Sequence, residues 1–231
     1  MAAGAKGRVS PGMKRRSPVL GVAVLALLWA SAPAARAGCG GTQIRHTQHK
    51  QNAGRAPLII GDSVLLGAMR ETTAVGFNLN TRGCRQWGEG MQVLRDYKRR
   101  GFLPHLVVME LGTDWSVSVR EIRAAIALIG PDRVLGLMTP REVGGYGGSD
   151  AVHMRFVAKR FPKRTILLDW VAHTRGRGGW FQPDGVHLTL SGAAGFGEFL
   201  KTALPYADPP EQVVTGPVEA NPPPPPPSPT S

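Results

Sequence analysis

The sequence is poor in cysteine and has no long apolar run, and each shortage excludes a class of protein. Its 231 residues contain two cysteines with no histidine cluster beside them, so we expect no zinc site and no other metal. The apolar segment 19–29 is too short to cross a bilayer comfortably. No nucleic-acid-binding module can be identified, so we expect no nucleic-acid partner.

The first 37 residues have the pattern of an export signal. Basic residues up to Arg16 precede the apolar segment, and Ala35 and Ala37 provide small side chains around a cleavage site. We therefore predict a signal peptide over residues 1–37 and a protein that is secreted or held in the cell envelope. An uncleaved membrane anchor is the alternative interpretation, and Met13 is an alternative start.

Charge and cysteine usage agree with an envelope location. The chain carries a net charge of +12, but residues 1–37 hold six of the basic residues and no acid, so the remainder carries +6. That modest charge suits peripheral association with an anionic envelope surface. In an exported protein, the pair Cys39 and Cys84 suggests one disulfide that joins the mature N-terminus to the core, and two free thiols are the alternative.

Composition divides the rest of the chain into three parts. Residues 38–55 are rich in glycine, glutamine and basic residues without periodicity, and we predict a flexible leader. Residues 206–231 are rich in proline, and we predict a disordered tail that cannot bury a core. The domain is expected over residues 56–205.

Within this domain, short aliphatic strands alternate with amphipathic helices. Five strands are predicted, at residues 58–60, 76–79, 106–111, 134–138 and 165–168. Five helices are predicted, at residues 64–73, 89–100, 117–129, 150–160 and 191–204. This alternation predicts an α/β fold with three α/β/α layers and a five-stranded parallel sheet.

Polar motifs follow the carboxyl ends of these strands, where open parallel sheets form their sites. Ser63 follows the first strand, and Asp184 and His187 lie in the last long loop. Nucleophilic ester chemistry needs a hydroxyl, a base and a carboxylate that orients the base. Taken alone, Ser63 is also typical of a helix N-cap. Taken alone, the pair Asp184 and His187 is also typical of a surface turn. The prediction of a catalytic site therefore depends on finding all three residues together.

In this order the motifs resemble those of the SGNH (GDSL) hydrolases, and the resemblance covers residues 56–205. The motifs are Gly61-Asp62-Ser63, Gly83, Gly112-Thr113-Asp114 and Asp184-x-x-His187. Their form looks most like the SGNH domains related to envelope O-acetyltransferases. The resemblance implies a flavodoxin-like fold and ester chemistry without a cofactor. It also implies Ser63 as nucleophile, His187 as base and Asp184 as its orienter, with the backbone N–H groups of Ser63 and Gly83 in an oxyanion hole.

One residue departs from the family pattern. Where the family has an asparagine amide in the oxyanion hole, this chain has Asp114. An ionised carboxylate has no hydrogen to donate and would repel a developing oxyanion. Three interpretations are open: burial keeps Asp114 protonated, its side chain points away and leaves the hole to backbone groups, or the enzyme is slow or inactive. We favour the second.

Other side chains near the predicted site have weaker signals. Trp87, Trp115 and Trp180 could line a substrate pocket, with ordinary loop packing as the alternative. Arg85 could bind an anionic group, although a solvated arginine is the simpler interpretation. The glycine-rich segment 144–148 could act as a lid.

The sequence thus predicts an exported serine esterase, a carboxylic ester hydrolase or lipase that works through an acyl-Ser63 intermediate. Its expected substrate is a small ester or an acylated envelope glycan or lipid. An O-acyltransferase acting on envelope glycans is the first alternative, because the same acyl-enzyme serves both reactions. A glycan-binding module that has kept the fold and lost the chemistry is the second.

Overall fold

The structure is a computed structural model that describes residues 39–49 and 55–208. The predicted signal peptide, and the tail from residue 209 onward, lie outside the described residues. Within them, no helix has the length and apolar character needed to span a membrane.

A six-stranded sheet forms the centre of the domain. Its strands are β1 Gln43–Arg45, β2 Leu58–Gly61, β3 Asn78–Thr81, β4 Leu106–Glu110, β5 Val134–Met138 and β6 Thr165–Leu168. Across the sheet they lie in the order β1-β3-β2-β4-β5-β6. Strands β2 to β6 are all paired in parallel, whereas β1 pairs antiparallel with β3.

Helices connect the parallel strands. They are α1 Ser63–Leu66, α2 Met69–Ala74, α3 Trp87–Arg99, α4 Val119–Ile129, α5 Ser149–Arg160, α6 Trp170–His173 and α7 Leu190–Leu200, with 3-10 turns at Gly178–Trp180 and Lys201–Tyr206. Helix α4 begins with a capping box, in which the Ser118 hydroxyl accepts the Glu121 N–H and the Glu121 carboxylate accepts the Ser118 N–H.

Helices cover both faces of the sheet, which confirms the predicted three-layer α/β/α fold. Neighbouring residues of a strand point to opposite faces. Ile59 of β2 packs in a cluster with Phe196 of α7, and Ile60 packs in the other cluster with Leu94 of α3 and Ile122 of α4. Because β2 and β4 are buried on both faces, they are continuous aliphatic runs rather than alternating ones.

The predicted sheet of five strands is wrong by one strand. Strand β1 lies inside the segment predicted as a flexible leader, and it lacks the aliphatic run that marked the other strands. Its register pairs Gln43 with Thr81 and Arg45 with Leu79, so backbone hydrogen bonds to the edge of β3 hold it. The Cys39–Cys84 disulfide is present, and the free-thiol alternative is therefore wrong.

Two predicted helices have different bounds in the structure. The helix predicted at residues 64–73 is two helices, α1 and α2, because the chain leaves helical geometry at Ala68, where φ is −125° and ψ is 20°. The helix predicted at residues 191–204 ends at Leu200 and continues as a 3-10 turn that contains Pro205. Proline lacks the N–H that a regular helix requires at that position.

Truncation of a β2 side chain tests whether the cores on both faces of the sheet stabilise the domain. Ile59 is fully buried, so Ile59→Ala is expected to lower the free energy of unfolding by about 2–5 kcal/mol. The matched control is Ile44→Ala in β1, where the side chain is 44% exposed and the loss should be much smaller. Urea unfolding of both variants measures the difference; equal losses would contradict this account of the core.

Candidate active site

Ser63 is separated from β2 by Asp62 alone, and it is the first residue of helix α1. The Asp62 side chain caps this helix by accepting the N–H of Val64 at 3.0 Å. The strand-to-helix turn therefore presents the Ser63 hydroxyl at the carboxyl edge of the sheet, beside the first backbone N–H groups of α1. Such N–H groups carry partial positive charge and suit a developing anion.

The Ser63 hydroxyl lies within hydrogen-bond distance of a histidine from the far end of the domain. The distance from His187 Nε2 to Ser63 Oγ is 3.0 Å. On the other side of the ring, His187 Nδ1 lies 2.7 Å from Asp184 Oδ2. A hydrogen bond from Nδ1–H to the carboxylate leaves Nε2 free to accept the serine proton, which is the arrangement that a general base requires.

The Asp184 carboxylate is held as an anion by its own turn. Partial burial opposes ionisation, but hydrogen bonds from the His187 ring and from the backbone N–H groups of Val186 and His187 outweigh it, so the pKa of Asp184 lies below its ordinary value. Gly185 has φ +76°, a left-handed conformation that favours glycine. The turn thus orients His187 through one fixed carboxylate.

A neighbouring loop supports this turn. The Gly144 N–H donates to the Asp184 carbonyl at 2.9 Å, and Arg141 Nε donates to the Gly185 carbonyl at 2.9 Å. The guanidinium of Arg141 also donates to the Thr174 hydroxyl. The glycine-rich segment that the sequence suggested as a lid therefore packs against the acid–base turn and supports it.

A pair of buried carboxyl groups lies beneath the serine turn. Glu110 ends β4, and its Oε2 accepts the backbone N–H of Asp62 at 3.2 Å. Burial, together with the nearby charge of Asp114, raises the pKa of Asp62 to about 6. Burial and the charge of Asp62 raise the pKa of Glu110 well above its ordinary value. Gly61 leaves the space for this contact, since a Cβ there would lie 2.4 Å from Glu110 Oε2.

Two backbone N–H groups are available where an oxyanion hole is expected. Within residues 39–49 and 55–208, the N–H groups of Ser63 and Gly83 donate no backbone hydrogen bond. Gly83 follows the end of β3, next to β2 in the sheet, and packs against the backbone of Cys39, where a Cβ would lie 2.8 Å from the Cys39 carbonyl oxygen. Their role in binding an oxyanion stays a prediction.

Asp114 lies on the loop that follows β4, and its side chain is exposed. The burial on which the first of the three interpretations depends is therefore absent. Its charge is near enough to raise the pKa of both Asp62 and Glu110. An exposed carboxylate can turn towards water and leave the oxyanion to backbone donors.

The three tryptophans proposed for a substrate pocket have different surroundings. The prediction for Trp87 is wrong, because its side chain, at the start of α3, is buried in the core against the sheet. Trp180 stacks on Trp170 and packs over Gly195 of α7, where a Cβ would meet its ring. Trp115 is 68% exposed on the loop that carries Asp114, so it alone stays a pocket candidate.

Sequence reasoning missed Glu110 and Arg141, which organise the site, and it assigned Arg85 the wrong surroundings. Arg85 is buried and donates to the carbonyls of Gly61 and Asn80, so it neither binds an anion nor lies in solvent as expected. Glu110 is a charged residue at the end of the otherwise apolar run of β4, and that pattern could have pointed to it. No comparable pattern marks Arg141, whose partners are distant in sequence. The described residues contain no cluster of potential metal ligands.

Comparisons with known proteins found similar sequences and similar folds. No family model matches the sequence. Two proteins of Staphylococcus aureus, from strains COL and MRSA252 and both named "Putative O-acetyltransferase", are 26% identical to the chain over 151 residues. These residues make up 64% of the chain and 25% of each relative, so the chain spans about a quarter of the length of these proteins.

Solved structures give the fold. The C-terminal catalytic domain of peptidoglycan O-acetyltransferase A from Streptococcus pneumoniae superposes with a TM-score of 0.60 at 21% identity, covering 68% of this chain and 96% of that domain. A "putative SGNH hydrolase" from Slackia heliotrinireducens superposes with a TM-score of 0.50 at 16% identity, covering 66% and 100%. The chain has the SGNH hydrolase fold. The resemblance of its motifs to SGNH domains related to envelope O-acetyltransferases is thereby confirmed.

The buried carboxyl pair of this SGNH fold predicts an unusual pH dependence of stability. Because the folded protein keeps a proton on Asp62 at a pH where the unfolded chain has lost it, the free energy of unfolding falls as pH rises from about 4 to 6. Asp62→Asn removes this loss. We expect its stability advantage over the natural chain to grow by about 1–3 kcal/mol between pH 4 and pH 7.

Urea unfolding at several pH values measures this advantage. Asp132→Asn, at an exposed carboxylate, is the matched control and should show no such growth. An Asp62→Asn advantage that is constant or shrinks with pH would contradict the raised pKa.

Proposed function

We propose that the protein is a serine acyl-transferring enzyme that works through an acyl-Ser63 intermediate. The observation that supports this most is the hydrogen-bonded series from Ser63 through His187 to Asp184, with distances of 3.0 and 2.7 Å. The serine, the base and the orienting carboxylate come from one edge of the sheet, and each has the partner that its role requires.

In the first half-reaction, Ser63 Oγ attacks the carbonyl carbon of an ester while its proton passes to His187 Nε2. The carbonyl oxygen becomes an oxyanion, which the N–H groups of Ser63 and Gly83 are expected to bind. The intermediate then collapses, the bond to the leaving alkoxide breaks, and the proton on His187 passes to that alkoxide. The alcohol leaves, and the acyl group stays on Ser63.

In the second half-reaction, an acceptor hydroxyl gives its proton to His187 and attacks the acyl carbon. The acyl–Oγ bond breaks, and Oγ recovers the proton from His187. If the acceptor is water, the enzyme is an esterase. If the acceptor is a sugar hydroxyl, it is an O-acyltransferase.

Hydrolysis is the first candidate for the acceptor step. The His187 and Asp184 side chains are 44% and 36% exposed, so water can reach the base that would activate it. The proposed substrates are small esters and acylated envelope glycans or lipids, and the proposed location is outside the cell or at its envelope.

Acyl transfer to an envelope glycan is the second candidate, and a specific observation favours it. The Staphylococcus aureus relatives are named as O-acetyltransferases, and so is the pneumococcal domain with the same fold. On this reading the reaction needs an acyl donor as well as the glycan acceptor. A catalytically impaired glycan-binding module remains the third proposal, and exposed Asp114 is its support.

Replacing the serine tests the acyl-enzyme. Ser63→Ala is expected to lower kcat on an aryl acetate by about 10⁶-fold, because the nucleophile is lost. The mature protein is incubated with short- and long-chain aryl esters and, separately, with an acetyl donor and a peptidoglycan oligosaccharide. Released acid and acetylated sugar are quantified in the same reaction, so that the share of acyl groups taken by each acceptor is measured.

Ser191→Ala is the matched control, since this hydroxyl lies on α7 and contacts Thr189 and the Gly179 carbonyl rather than His187. Turnover that survives Ser63→Ala would exclude the serine mechanism. Sugar acetylation that exceeds hydrolysis would favour the transferase, and glycan binding without either reaction would favour the module.

The departure at Asp114 has its own test. Asp114→Asn is expected to raise kcat, by up to about 100-fold, because an amide can donate to the oxyanion and a carboxylate cannot. Asp132→Asn is the control for a change of net charge. A fall in kcat with intact folding would show that the Asp114 carboxylate is required.

A further inference from the structure

The turn that follows β3 combines a candidate oxyanion donor with an unfavourable backbone conformation. Cys84, directly after Gly83, has φ +55° and is the one non-glycine residue with positive φ in the described parts of the chain. A side chain makes this left-handed conformation costly, and it persists only where the surroundings hold it. Such strain is a reason to look for a function in the turn.

The N-terminal segment holds this turn from one side. Strand β1 runs antiparallel to β3, with Gln43 opposite Thr81, so the chain before β1 continues beside the residues after β3. There Cys39 forms its disulfide with Cys84. The Cys39 carbonyl oxygen lies so near Gly83 that a Cβ at this position would be 2.8 Å from it. Cys39 thus contacts Gly83 and is bonded to its neighbour.

The turn is also joined to the strand that carries the nucleophile. The Arg82 N–H donates to the Gly61 carbonyl at 3.3 Å. Buried Arg85 donates to the same carbonyl at 3.2 Å and to the Asn80 carbonyl at 2.6 Å. Gly61 is two residues before Ser63, so the two candidate oxyanion donors share one rigid support, and Cys84 is the strained residue within it.

We propose that the Cys39–Cys84 disulfide is a positioning element, which keeps Cys84 left-handed and so holds the Gly83 N–H where it meets the oxyanion formed at Ser63. The inference rests on the proposed function, because it assigns the disulfide a role in the same acyl-transfer reaction. Among the described residues, the Gly83 N–H donates no backbone hydrogen bond, which is what an oxyanion donor requires. Without the disulfide, φ at residue 84 relaxes to negative values, which turns the Gly83–Cys84 peptide and, through Gly83, displaces the Arg82–Gly83 peptide that carries the N–H.

Two double variants separate positioning from stability. In Cys39→Ala/Cys84→Ala the disulfide is lost and the alanine disfavours positive φ, so kcat on an aryl acetate should fall about 10- to 100-fold with KM within about 2-fold. In Cys39→Ala/Cys84→Gly the disulfide is also lost, but glycine adopts φ +55° without strain. We expect this variant to recover most of kcat.

Val157→Ala is the matched stability control, because Val157 is buried in the core formed by α4 and α5, on a different element from the turn. It should lower the unfolding temperature and leave kcat unchanged at a temperature where all variants are folded. If the disulfide acted through stability alone, the alanine and glycine double variants would lose kcat equally, or not at all. Either result would overturn the proposal.

Failure of this inference is distinguishable from failure of the proposed function. If Ser63→Ala abolishes turnover while Cys39→Ala/Cys84→Ala retains full kcat, the acyl-enzyme stands and the disulfide has no positioning role. If the natural chain forms no acyl-Ser63 detectable by mass spectrometry after incubation with the aryl ester, the proposed function fails, and the inference fails with it.

Discussion

Parallel pairing of β2 with β3 and β4 is the constraint on which the rest of the site depends. In a parallel sheet the carboxyl ends of neighbouring strands meet at one edge. The residues that follow them, Ser63 after β2, Gly83 after β3 and Asp114 after β4, therefore lie towards the same edge although up to 51 residues of chain separate them. His187, 124 residues beyond the serine in the chain, lies in a loop at the same edge, where its Nε2 contacts the Ser63 hydroxyl.

The same pairing brings two carboxyl groups into a place where water cannot solvate them. Register sets Gly61 opposite Glu110, so the acid that ends β4 lies under the turn of the nucleophile. Burial makes the charged forms of both groups unfavourable, and this destabilisation lies directly beneath the turn that holds Ser63. Functional sites commonly combine such local instability with rigid surroundings. Here the surroundings are the Arg85 hydrogen bonds and the disulfide.

The sequence predicted the parts that depend on local patterns. Aliphatic runs placed β2, β4, β5 and β6 to within a residue or two, and the spacing of Asp184 and His187 predicted the contact that the turn makes. It did not predict β1, because an edge strand is held by backbone pairing and needs no apolar side chains. Trp87 and Arg85 were misjudged for a related reason: their environment depends on distant partners, whereas composition near a motif says only which residues are neighbours in sequence.

Strand β1 also covers the edge of the sheet. Without it, the N–H and C=O groups along the outer side of Asn78–Thr81 would face solvent unpaired, a surface that recruits strands from other molecules. A chain shortened to begin at residue 56 would keep the whole domain that composition delimits, yet it would expose this edge. Proteolysis between residues 45 and 56 would have a different result, because the disulfide would keep β1 attached to the turn after Gly83. After such a cut, the bond would therefore keep the edge of β3 covered.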